Sequence, residues 1–113
     1  MTQKIITLQG KQYPVVFGMR TMVGYEEIVG KGWFTTEWAD VKFRERMAVV
    51  VAAILAANEK SKISADDLLS IDNVDDMKEL IKAFNEIMEL STEFFKLPAV
   101  EKTDEKPAEN AKN

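Results

Sequence analysis

Glu26–Glu27, Asp66–Asp67, Asp72 and Asp75–Asp76 are the residues with the clearest means of doing chemistry in this chain. Paired carboxylates can hold a hard divalent cation or divide general acid and base roles between them. The run Asp72-Asn73-Val74-Asp75-Asp76 sets three acids within five residues, loosely as a calcium loop does. It lacks the glycine at the sharp turn and the closing glutamate at the required distance. The same acids stand where helices would begin, and carboxylates there complement the helix dipole. Capping explains them with fewer assumptions, and no metal or other cofactor is expected.

Other reactive groups are scarce. The chain has neither cysteine nor histidine. That removes disulfides, thiolate nucleophiles, the commonest metal ligand and the usual general base near neutral pH. Serines and threonines are present, but without histidine a catalytic triad cannot be assembled. Gly24, Gly30 and Gly32 are spaced wrongly to cradle a phosphate. No enzymatic activity is expected. Lys42, Arg44 and Arg46 form a basic stretch, with Lys60 and Lys62 beyond the next apolar run. Helical spacing puts 42 and 46 on one face and Arg44 opposite, and Glu45 dilutes the charge. A solvated helix start is the nearer reading than a nucleic-acid surface.

Binding to protein is the remaining class of function. Trp33, Phe34 and Trp38 cluster at a turn. Aromatics there either tuck into the core or stand out as anchors for a partner, and the core is the nearer reading. The methionines at 19, 22, 47, 77 and 88 allow the same two readings.

These residues need a scaffold. A chain of 113 residues, 46% hydrophobic and 30% charged, suggests one globular domain. Its net charge of -4 suits solubility and is not that of a uniformly basic nucleic-acid binder. The opening MTQKIITLQG carries no long apolar stretch, so no secretory signal is expected.

Residues 3–17 read as a β-hairpin, with Ile6 and Leu8 alternating on one run and Tyr13, Val15 and Phe17 on the other. Gly10 can take the positive φ of the tight loop, and Pro14 belongs to an edge strand. Residues 18–30 read as a helix, with Met19, Met22, Val23 and Val29 at helical spacing and Gly30 at its end. Gly24 inside it either permits a close helix approach or simply weakens the helix.

A longer helix is expected over about 37–58, capped by Thr35 or Thr36. It contains MAVVVAAILAA, residues 47–57, with no polar side chain at all. This run would extend only roughly 16 Å as a helix. A bilayer span needs about 20 apolar residues, so a membrane segment is not expected. A helix apolar on every face is buried on every face. Its small Ala52, Ala53 and Ala56 would admit a second helix closely if one face stayed open. A short helix at 65–70 follows, with Ser64 as N-cap. The last helix runs over 74–96 behind Asp72 or Asn73. There Val74, Met77, Leu80, Ile81, Phe84, Ile87, Met88 and Phe95 form a continuous stripe. Residues 98–113 are almost without apolar mass and are expected to be a disordered polar tail behind a compact domain at 1–97. The expected fold is α+β, mostly helical: an N-terminal β-hairpin followed by three to four helices around a central apolar helix.

The stretch ITLQGKQYPVVFGMRTMVGYEEIVGKGWF resembles the N-terminus of phage tail assembly chaperones and related prophage proteins. Gly10, Lys11, Tyr13, Val15, Phe17, Gly18, Glu26, Glu27, Gly30 and Lys31 carry the likeness, over about the first third of the chain. The resemblance implies a non-enzymatic role in the cytoplasm of a bacterial host. Such proteins coat the helical tape measure protein before the tail tube polymerises, and help recruit tail tube subunits. The expected partners are therefore those two proteins, with Trp33, Phe34, Trp38, Ala52, Ala53 and Ala56 as candidate partner-binding residues. A homo-oligomer, and a small regulatory or nucleic-acid-associated phage protein, are the alternatives.

Overall fold

The computed structural model describes residues 2–96. The expected polar tail at 98–113 lies outside the described residues. The fold is α+β: an antiparallel two-stranded hairpin, then four helices. Strands β1 (Gln3–Leu8) and β2 (Lys11–Val16) pair with Ile6 opposite Tyr13 and Leu8 opposite Lys11. Alternation puts Ile6, Leu8 and Val15 inside, with Phe17 just past β2, and leaves Ile5 outside. Gln9 and Gly10 make the two-residue loop, both at positive φ (52° and 81°). The primed turn matches the strand twist. Gln9 is held in that uncommon conformation partly by its N–H, which donates to Glu79 Oε1 at 2.9 Å.

Helix α1 (Met19–Val29) begins at Gly18. The Thr21 hydroxyl donates to the Val16 carbonyl and accepts the Gly18 N–H, so the hairpin exit and the helix start are tied together. Gly30, at φ 82°, ends the helix by returning its N–H to Glu26 O. The inward face differs from the expected one. Met19 and Val23 are exposed, whereas Thr21, Met22 and Tyr25 are buried. The helix is rolled to bring Gly24 against Ala52 of the next helix. A Cβ added at Gly24 would come to 3.3 Å from Ala52 Cβ. The close-approach reading of Gly24 is therefore the structural one. Gly24→Val is expected to cost about 1–3 kcal/mol by prying the two helices apart. Adding Ala52→Gly should recover part of that loss, because neighbouring sites couple. Strict additivity in urea melts of the single and double variants would show that the contact is not the cause.

Helix α2 (Phe43–Ala57) starts six residues later than expected. Residues 33–35 and 38–40 form two 3₁₀ turns instead. Thr36 is diverted from capping: its hydroxyl donates to Gly32 O at 2.9 Å and meets the Tyr25 hydroxyl at 2.7 Å. Trp38 Nε1–H donates to Trp33 O, which folds the indole back over the preceding turn. The cap falls to Glu45, whose Oε1 accepts the Lys42 N–H at 2.8 Å.

Helix α3 is a single turn (Ala65–Leu68). Asp67 Oδ2 accepts the Ser64 N–H before it. Helix α4 (Val74–Lys96) matches its expected range. Asn73 and Asp76 cap it reciprocally, Asp76 N–H to Asn73 Oδ1 and Asn73 Nδ2 to Asp76 Oδ2. Its buried face is Leu80, Ala83, Phe84, Ile87, Leu90 and Ser91. Val74, Met77 and Phe95 of the expected stripe are exposed.

The chain closes around α2. Helices α1, α3 and α4 and strand β2 all pack on it. Met47 through Ile54 are buried without a break, and Leu55, Ala56 and Ala57 are half-buried. Among the described residues, no helix is long and apolar enough to cross a membrane.

Candidate protein-binding surfaces

An aromatic stack joins the hairpin, α1, the 3₁₀ turns and α4. Trp33 lies 5.1 Å from Phe17, 5.3 Å from Tyr25 and 4.5 Å from Trp38, centroid to centroid. Trp38 reaches Phe84 at 6.4 Å. Glu26 Oε2 accepts the Trp33 N–H at 2.9 Å, so an acid of the first helix fixes the turn that carries the indole. Trp33 is buried and Trp38 half-buried, so both serve the core.

Phe34 is placed differently. It is 77% exposed, more than any other large apolar side chain described. The turn that sends Trp33 inward sends its neighbour outward. Phe34 stacks at 5.8 Å on Phe95, itself 49% exposed. Phe95 rests in turn on Phe17 and Phe94. The outward pair therefore stands on a packed aromatic base, where an interface anchor could sit.

Most of the alanine face is buried within the chain. Ala52 and Ala53 are 1% and 0% exposed, and Ala52 is taken by Gly24 of the same chain. Ala52 does admit a second helix closely, and that helix is α1. Ala56 alone of the three is half-buried.

A second surface had no signal of its own in the sequence. Met47, Val51 and Leu55 line up on α2 as the floor of a groove. Ile28 of α1 and Ile63, Ala65 and Leu69 from the α3 region form its walls, around a cavity of about 420 Å³. Leu69 stands at its lip, 65% exposed. Arg44 and Asp66 bring one charge of each sign to its edge. In a helix apolar all round, this row is indistinguishable from the buried rows beside it. A larger cleft of about 620 Å³, between the hairpin loop and the residues before α3, has Lys11, Tyr13 and Lys62 among its lining.

No family model, no curated protein and no solved structure matches the chain.

Several of the charged residues singled out above are engaged by neighbours. Among the described residues, no three acids come together as a metal site would need. Lys42 pairs with Asp40 at 2.8 Å, Arg44 donates to Ile28 O, and the Arg46 guanidinium lies over the rings of Phe43 and Phe84. Glu45 is the buried member of an ion pair with Lys31 of the Gly30–Gly32 turn. That lysine, then the Lys42 N–H, holds the Glu45 carboxyl below its ordinary 4.5. A carboxyl depressed in the folded state stabilises it above the unfolded value, and that contribution fades as pH falls through the folded value. Glu45→Gln is therefore expected to lower stability by about 1–2 kcal/mol at neutral pH. It should also reduce the loss of melting temperature seen on acidification from just above 4.5 downward. An unchanged acid limb in the variant would exclude Glu45 as the source.

Proposed function

We propose that this chain is a non-enzymatic protein-binding module of the phage tail assembly chaperone kind, working in the cytoplasm of a bacterial host. Its partner in this reading is the tape measure protein, with recruitment of tail tube subunits as its second task. The exposed Phe34–Phe95 pair on its aromatic base is the observation that carries the binding role. A large exposed apolar ring offers area to bury on binding, and a helical partner can lay its apolar face over it. The likeness of residues 6–34 to such chaperones supplies the partner's identity. Repeated weak contacts along one long helix would give avidity without a tight single site. The nucleic-acid alternative has less behind it, because Lys42, Arg44 and Arg46 are each engaged by neighbours.

Co-expression with a phage tape measure protein from the same genome tests the reading. The tagged chain is expected to carry that protein through purification. Phe34→Ala with Phe95→Ala should weaken capture about tenfold or more while leaving the fold intact. Failure of the unaltered chain to co-purify with it would overturn the assignment.

A further inference from the structure

The first turns of α4 carry an apolar row that the other described residues leave partly uncovered. Val74 is 63% exposed, Met77 38%, and Ile81 is half-buried. The spacing i, i+3, i+7 aligns the three side chains on one face. Asp75, Lys78 and Lys82 border that row. From Val74 to Ile81 the row extends roughly 10 Å along the helix. The groove on α2 offers the converse shape. Its floor, from Met47 to Leu55, extends roughly 12 Å, with apolar walls and an exposed Leu69 at the lip.

We infer that the groove walled by Ile28, Leu55, Ile63 and Leu69 receives Val74, Met77 and Ile81 of α4 from a second copy of this chain. The charges agree with that seating. Arg44 comes before the groove floor on α2, and Asp75 stands at the start of the α4 row. Among the described residues, no carboxylate forms an ion pair with Arg44 or a cation with Asp75. With the two helices running the same way, carboxylate and guanidinium meet at one end. Knob and groove are different surfaces of one chain, so the contact is heterologous, and such contacts build strings or rings. The inference is independent of the tape measure reading. A string of copies would nonetheless suit a protein that binds along a long partner.

Sedimentation of the purified full chain over a range of concentrations tests the contact. The unaltered chain is expected to form concentration-dependent assemblies. Leu69→Asp and Val74→Asp, both at exposed positions, should each weaken assembly about tenfold or more without changing the monomer's melt. Arg44→Glu and Asp75→Arg should each weaken it singly, and a mixture of the two variants should restore it. The absence of native cysteine allows a direct check. Leu69→Cys in one copy and Val74→Cys in another should give a mixed disulfide under mild oxidation, in excess over either homodimer. A monomer at every concentration would overturn the inference. So would assembly that survives both aspartate variants, or that is abolished by Phe34→Ala, which would put the contact on the aromatic pair.

Discussion

Val50→Asp is expected to leave no cooperatively folded domain. Val50 is 0% exposed and lies mid-way along a helix that α1, α3, α4 and β2 enclose. Its neighbours from Met47 to Ile54 are all buried, so the introduced carboxylate finds neither water nor a cation. Burying such a group unpaired costs several kcal/mol, even if it takes up a proton to stay neutral. The lost valine burial adds about 2 kcal/mol. Native domains hold only about 5–15 kcal/mol in total. Val50→Ala, which removes apolar volume alone, should cost about 2 kcal/mol and stay folded. Circular dichroism melts of the two variants distinguish the cases. A cooperative aspartate melt close to that of the unaltered chain would mean that the run is open to water and to partners.

Trp33→Ala is expected to cost about 3–5 kcal/mol. The indole is 3% exposed and is the common neighbour of Phe17, Tyr25 and Trp38. Its removal leaves a cavity where hairpin, α1 and turn meet, and those elements cannot all collapse into it. Phe34→Ala, one residue along, should change stability by less than about 0.5 kcal/mol, because that ring is mostly in water. Urea titration followed by Trp38 fluorescence measures the first, and far-ultraviolet dichroism the second. If Trp33→Ala kept its stability and lost only partner binding, Trp33 would be an anchor rather than a core residue.

Adjacent residues thus part company, and the reason was not legible in the sequence. Trp33 and Phe34 have similar chemistry, and spacing does not separate them. What separates them is a 3₁₀ turn held from outside by Glu26 and Tyr25. The same non-local bonds delay α2. Thr35 and Thr36 look like N-caps, but the Tyr25 hydroxyl and Gly32 carbonyl recruit Thr36 first. Local signals succeed where no distant group competes. The hairpin follows from alternation around Gly10, and the limits of α4 from its stripe and the cap at Asn73.

Met47 to Ala57 shows where the two kinds of information divide. Length and composition alone make this run too short for a bilayer and too apolar to face water. Composition also means that the alanines could accept a helix. Which helix takes that place depends on packing, through the glycine of α1 that lies against Ala52. Only the tertiary structure left Met47, Val51 and Leu55 under a groove while closing the other faces. A residue's chemistry fixes that it seeks cover. What covers it depends on elements distant in the chain, whose packing no local pattern encodes.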